Sequence, residues 1–336
     1  MNHARNRTLT VADVGEFGLI RRIRSRLARL RPFPARSNAS PLVGIGDDCA
    51  VLPAPARGRR LLFTCDPVVE GIHYRPDAPP RQVGWKAMAR NLSDIAAMGG
   101  VPRWATVSLG LRRGATVQYV SRLYEGLSAA AARFGCQIVG GDTTRVRHEQ
   151  FVVVTLLGEV ERSRAVLRSG ARVGDAVVVT GTLGGSQRGR HLRFVPRVTE
   201  ARWLVRHVPV HAMIDISDGL SNDLQRLIEA SRQSIGVEID AAAVPIAAAA
   251  RHRLDAALND GEDFDLLFAI DSRRWAALRR QWARTFALRL TRIGRVTADG
   301  GRILLRASGG EATVVRPGGY DHFVGRNSGS ASRRGP

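Results

Sequence analysis

Acidic residues recur in this chain where an apolar run gives way to glycine: Asp47 and Asp48, Asp66, Asp142, Asp215 with Asp218, and Glu262 with Asp263. Asp94 stands instead near the end of a helical stripe. Oxygen ligands of this kind suit Mg²⁺, which is usually held by one or two carboxylates together with substrate phosphates. Carboxylates converging without a cation would repel one another and resist burial. The expected chemistry is a site of several metal ions that neutralises a polyphosphate. Taken singly, each acid reads equally well as a turn former or a helix cap. Their repetition carries the expectation.

The common phosphate-binding designs are excluded. Lys86 is the only lysine and lies in no GxxxxGK[ST] motif, so there is no P-loop. The catalytic loops of protein kinases are also absent. The glycine-rich residues 181–186 are expected to offer backbone N–H groups to a phosphate. Cys49, Cys65 and Cys136 lack CxxC spacing and are too few for a disulfide framework, so they read as reduced thiols.

The formal net charge is +21, with 51 basic residues scattered along the chain and only 6% aromatics. A nucleic-acid reader concentrates its charge and interleaves aromatics, so no specific nucleic-acid partner is expected. Non-specific polyanion binding is the alternative from another class. The 44% hydrophobic and 24% charged composition is that of a globular protein. No apolar run is long enough to cross a bilayer. Arg21-Arg22 is followed by further arginines where a signal peptide needs an apolar stretch. The expected location is cytoplasmic, with no membrane partner.

The elements that must position these acids alternate in type. Phe17, Ile20, Ile23, Leu27 and Leu30 have helical spacing, and the Pro- and Ser-rich residues 31–41 form a linker. Residues 61–66 read as a buried strand ending on Asp66. Residues 84–98 carry a helical stripe that Gly99-Gly100 closes. Strands are expected over 104–111, 136–139, 151–160, 175–180, 212–216 and 264–270, and a helix over 117–134. Ser217 is positioned to cap a helix running to about Ser231. The class is α/β or α+β with mixed sheets, in two domains over 15–160 and 161–325. The tail, 326–336, is expected to be disordered.

The ordered motifs resemble the thiamine-monophosphate kinase family. They are Gly44-Ile45-Gly46-Asp47-Asp48-Cys49-Ala50; Thr64-Cys65-Asp66 with Glu70-Gly71-Ile72-His73; and Asn91-Leu92-Ser93-Asp94. Further along come Gly140-Gly141-Asp142-Thr143-Thr144, Asp215-Ile216-Ser217-Asp218-Gly219, Gly261-Glu262-Asp263 and Gly319-Tyr320-Asp321-His322-Phe323. The match runs from about Gly15 to Phe323. The family is part of a superfamily with aminoimidazole ribonucleotide synthetase, selenophosphate synthetase and a hydrogenase-maturation dehydratase. Another ATP-dependent member of that superfamily is the runner-up reading.

The resemblance implies two α/β domains, a homodimer joined through the N-terminal sheets, and transfer of the ATP γ-phosphoryl group onto thiamine monophosphate. It implies Asp48, Thr64, Asp66, Asp94, Asp142, Asp215 and Asp218 at the Mg²⁺ ions. Gly141, Asp142, Arg168 and Ser217 would meet the ATP phosphates, with Asp142 and Arg168 catalytic. His73, Glu262 and Tyr320 would face thiamine monophosphate. This chain departs from the family pattern at Cys65, which replaces Thr or Ser, at Asp260, which replaces Gly, and at Asp265, which replaces Glu. The stretch between Ser186 and Ala212 is also short. Every metal aspartate of the pattern is kept.

Overall fold

Every second residue of the strand Phe151–Glu161, from Val152 to Val160, is buried, the period of a strand with one covered face. The computed structural model describes residues 13–15, 18–22, 25, 42–43, 47–54, 58–231, 235–307 and 310–323. The expected first helix falls only partly within them, with 13–15, 18–22 and 25 helical. The linker 31–41, the tail 326–336 and residues 44–46 lie outside the described residues.

The first half contributes β1 (Ala50–Pro53), β2 (Arg59–Val69), α1 (Pro80–Ala97), β3 (Val101–Arg112), α2 (Val117–Arg133), β4 (Gln137–Val146) and β5 (Phe151–Glu161). These strands form a five-stranded sheet in the order β1-β2-β5-β3-β4. Only β3 and β4 run parallel, and α2 supplies the crossover that parallel neighbours need. Pro80 opens α1, where a missing N–H costs nothing. Thr116 caps α2 by accepting from Tyr119 N at 3.0 Å. The two helices cross at Gly126, where an added Cβ would fall 1.8 Å from the Arg81 carbonyl oxygen. Only glycine permits that approach.

The second half begins with β6 (Asp175–Thr180), α3 (Val198–His207), β7 (Val210–Asp215), α4 (Leu220–Ala230) and β8 (Gly236–Asp240). It continues with α5 (Leu254–Asn259), β9 (Leu266–Asp271), α6 (Trp275–Thr285), β10 (Leu290–Thr297), β11 (Ile303–Arg306) and β12 (Ala312–Val315). Its seven-stranded sheet has the order β12-β11-β8-β10-β6-β9-β7. All six residues of β6 are buried, as expected of a strand covered on both faces.

One apolar core runs through both halves. It takes Leu62 and Val154 from the first sheet, Met88 and Leu92 from α1, Leu204 from α3, and Met213 and Phe268 from the second sheet. Helix α1 packs against β2 and β5, and also against β7 and α3. Three sequence expectations change. Asp66 does not end its strand but lies inside β2, which runs on to Val69. Gly140-Gly141-Asp142 is not a turn after a strand but the exposed interior of β4, because pairing with β3 continues to Val146. Ser217 does not cap α4, which starts after Gly219 without a side-chain cap.

Candidate active site

Three carboxylates, Asp48, Asp94 and Asp215, come from the turn before β1, from α1 and from the end of β7. Each offers an oxygen, and the three atoms lie within 4.8 Å of one another. Thr64 of β2 donates from Oγ1 to Asp94 Oδ2 at 2.6 Å, and Ser93 donates from Oγ to Asp215 Oδ2 at 2.5 Å. Arg168 grips Asp48, from Nη2 to Oδ1 at 2.7 Å and from Nε to Oδ2 at 3.1 Å. Its backbone N–H donates to Asp47 Oδ2 at 3.2 Å.

The crowding of acids sets the local electrostatics. Burial, reinforced by Asp66, Asp215 and Asp48, pushes the Asp94 carboxyl well above the usual carboxylate range. Burial and the charge of Asp48 push Asp215 up to about 7. Burial and Asp48 likewise bring Asp47 to about 7, against the pull of Arg168. A buried set of like charges with oxygen donors fits a hard divalent cation, which would remove the repulsion.

A cleft adjoins this cluster, lined by His73, Arg90, Ser217, Asp218, Glu262 and Tyr320 among others. His73 Nδ1 accepts from Val69 N at 3.1 Å. Burial, aided by the nearby Arg90 charge, lowers the His73 ring to about 3, so it is neutral at physiological pH. Glu262 sits at a non-glycine positive φ of 57°, as does Phe264 at 51°, a backbone conformation that surrounding contacts must hold in place. Here Glu262 N donates to Ser217 O at 2.7 Å and Phe264 N to Ile216 O at 2.8 Å. Tyr320 reaches the cleft because its N–H donates to Asp218 O at 2.9 Å and its carbonyl accepts from Asn222 Nδ2 at 3.1 Å.

Helix α1 carries charge on a single face through Lys86, Arg90 and Asp94, spaced by four residues. Lys86 is fully buried and donates from Nζ to Glu262 Oε2 at 2.5 Å and to the His73 carbonyl at 2.6 Å. His191 Nδ1 is 2.8 Å from the same Glu262 oxygen. Burial opposes ionisation of Glu262, yet His191, Lys86 and Arg90 hold its carboxyl down at about 2. Arg90 Nε donates to Asp66 Oδ2 at 3.1 Å, and its Nη1 lies 3.7 Å from Glu262 Oε1.

The structure therefore gathers Asp48, Thr64, Asp94, Asp215 and Arg168 at one point, and Arg90 holds Asp66 from the same helix that carries Asp94. His73, Ser217, Asp218, Glu262 and Tyr320 share the adjoining cleft. Gly141 and Asp142 stand apart. Asp142 is level with Ser108, Val153 and Pro67 on successive strands. That is three strand spacings from β2, about 14 Å. Most of the N–H groups that residues 181–186 are expected to offer are already used internally. Gly181 N donates to Arg289 O at 2.8 Å, Gly184 N to Asp263 Oδ2 at 2.8 Å and Gly185 N to Asp260 Oδ2 at 2.9 Å.

Lys86, Arg90 and Ser93 were missed by sequence reasoning, although the spacing 86, 90, 94 was a visible signal. His191 carried no such signal. Asp223 accepts from Asp218 N at 3.2 Å, and burial pushes its carboxyl well up.

The N-terminal domain of AIR synthase related proteins matches residues 46–160, and the C-terminal domain matches residues 172–305. The thiamine-monophosphate kinase of Rhodopirellula baltica is 38% identical over 295 residues, covering 83% of this chain and 91% of the relative. That of Aquifex aeolicus is 33% identical, covering 94% of this chain and all of the relative. A solved structure of AaThiL complexed with AMPPCP and TMP superposes with a TM-score of 0.78 at 33% identity, covering 95% of this chain and 100% of that one.

Proposed function

The chain belongs to the thiamine-monophosphate kinase family of AIR synthase related proteins, and we propose that it transfers the γ-phosphoryl group of ATP to thiamine monophosphate, forming thiamine diphosphate. The observation that carries the mechanism is the trio Asp48, Asp94 and Asp215, whose oxygens converge within 4.8 Å beside a cleft lined by His73, Glu262 and Tyr320. No nucleophilic side chain is needed, because the acceptor oxygen already belongs to a phosphate. A phosphate oxygen of thiamine monophosphate forms the new P–O bond while the bond to the bridging oxygen breaks, and ADP leaves with the electron pair. The protein's task is to align two anions in line and to offset their repulsion.

Asp48, Asp94 and Asp215 would hold Mg²⁺, with Thr64, Asp66 and Asp218 nearby; the bound ions supply positive charge to the ATP phosphates. Arg168 fixes the orientation of Asp48 and borders the same anions. Ser217 meets the ATP phosphates, while His73, Glu262 and Tyr320 shape the acceptor side.

The active form is a homodimer built on the first sheet. The exposed strand β4 and the exposed Phe63, Trp104 and Val139, at 43, 46 and 60%, support this reading. A sheet surface of this kind is normally covered. In such a dimer, Gly141 and Asp142 of one copy serve the site of the other. Gly141 is close to β3 because a Cβ there would lie 1.9 Å from the Val107 oxygen.

The test is direct. Purified protein with ATP, Mg²⁺ and thiamine monophosphate should yield thiamine diphosphate, and thiamine in place of the monophosphate should yield no phosphorylated product. Absence of thiamine diphosphate, with the protein folded, would sink the assignment.

A further inference from the structure

We infer that Arg90 is a catalytic residue that binds the phosphate of the acceptor, an assignment that rests on the phosphoryl transfer described above. The acceptor's reacting end is a phosphate monoester, which has to enter a cleft whose walls include the acids Asp218 and Glu262, with Asp66 just beyond. Without a cation facing it, that approach is electrostatically uphill. His73 lies in the same wall but is held neutral by burial. Lys86 is fully buried beneath Glu262 and spent on that carboxylate and on the His73 carbonyl. Arg90 is the arginine that lines the cleft.

Its placement is that of a group poised between two sites. Arg90 stands one helical turn before Asp94 on α1, both half-buried, so it is fixed relative to the carboxylate trio. Its Nε donates to Asp66 Oδ2 at 3.1 Å and its Nη1 is 3.7 Å from Glu262 Oε1. The guanidinium carbon lies 5.9 Å from the centre of the Phe264 ring. That ring is itself locked by stacking on Phe194 at 4.0 Å. A guanidinium has five N–H donors in a planar fork that matches phosphate oxygens. The side chain is 14% exposed, enough to present part of that fork to the cleft while the rest keeps its anchors. In this role Arg90 orients the attacking phosphate oxygen and offsets the charge brought together during transfer.

Three measurements test the assignment. Titration of thiamine monophosphate and of thiamine into wild-type, Arg90→Lys and Arg90→Ala protein reads recognition of the phosphate whether or not turnover is seen. The wild type should prefer the monophosphate, and Arg90→Ala should lose about tenfold or more of that preference. Steady-state kinetics should show KM for thiamine monophosphate rising in Arg90→Lys while KM for ATP stays within about twofold. Added guanidinium should restore part of the activity of Arg90→Ala and none in a His73→Ala control. An unchanged preference for the monophosphate in folded Arg90→Ala, or equal losses toward ATP and acceptor without guanidinium rescue, would show Arg90 to be only an ion-pair partner of Asp66 and overturn the inference. A wild-type protein that binds the monophosphate but makes no thiamine diphosphate would count against the transfer reaction, and the titrations would still decide the role of Arg90.

Discussion

Thr64 Oγ1 donates a 2.6 Å hydrogen bond to Asp94 Oδ2, tying β2 to α1 at the floor of the carboxylate cluster. That bond stabilises an anion whose neighbours Asp66, Asp215 and Asp48 all oppose it, on top of the cost of burial. The site thus stores repulsion that a bound cation would relieve. Asp94→Asn keeps an acceptor for Thr64 and deletes one charge. In chelator the variant should be more stable than wild type by about 1 kcal/mol, raising Tm by about 2 °C. Its kinase activity should be lost, and its stabilisation by Mg²⁺ should shrink. Calorimetry with and without Mg²⁺ reads both effects. A variant that melts below wild type in chelator would mean the cluster is not repulsive.

Asp142 is separated from Asp66 by the strand order β2-β5-β3-β4, and in the proposed homodimer the site would draw the two from different copies. Asp142→Asn and Asp48→Asn homodimers should each be inactive. Mixed by co-expression or by unfolding and refolding together, they should recover about a quarter of wild-type activity, because half of the dimers are mixed and each has one intact site. Mixtures that stay inactive, although exchange of subunits is demonstrated, would refute the shared site.

The division between what was readable and what was not follows physical range. Asp48, Asp94 and Asp215 each sit where a short-range pattern ends, a turn before β1, the last turn of α1 and the end of β7. Local pattern was enough to single them out. The isolation of Asp142 depends on β4 pairing with β3 at the far edge of the sheet, which is a long-range choice. Residues 181–186 have the composition of a phosphate loop, but Asp260 and Asp263, distant in sequence, take the N–H groups of Gly185 and Gly184. Asp260, a departure from the family pattern, therefore has a structural task in pinning Gly185. Ser217 looked like a helix cap because no local signal reveals that its carbonyl accepts from Glu262 N. The face of α1 with Lys86, Arg90 and Asp94 was visible as spacing. What that face meets, a carboxylate at Glu262, was not.

Acid stability should carry the mark of His73. Burial, together with the charge of Arg90, lowers its ring from 6.5 to about 3 in the folded protein. Between those two values the unfolded chain binds a proton that the folded chain does not, so stability rises with pH across that window. The contribution is fully present above pH 6.5 and is lost as pH falls toward 3. In His73→Asn the side-chain oxygen can still accept from Val69 N, while the titrating ring is gone. Denaturant unfolding from pH 6.5 to 4 should show a shallower loss of stability for the variant, by a slope approaching one proton. Parallel curves for the two proteins would contradict the buried neutral ring.

Arg168 is the counterpart of the first prediction, a cation whose removal should do the opposite of removing Asp94. It makes two side-chain bonds to Asp48, at 2.7 and 3.1 Å, and its backbone N–H reaches Asp47. Burial works against its charge, and Asp48, Asp47 and Asp215 more than compensate. Arg168→Met would leave the fully buried side chain of Asp48 without its partner. Stripping one member from a buried pair costs about 3–5 kcal/mol, so Tm in chelator should fall by several degrees. Saturating Mg²⁺ should recover part of that loss by supplying positive charge to the same carboxylates, whereas Arg168→Lys should melt between the two. The double variant Arg168→Met with Asp48→Asn should be more stable than Arg168→Met alone, since the stranded charge is gone. If the double variant melts lower than the single one, Arg168 stabilises the fold by packing and not by balancing Asp48.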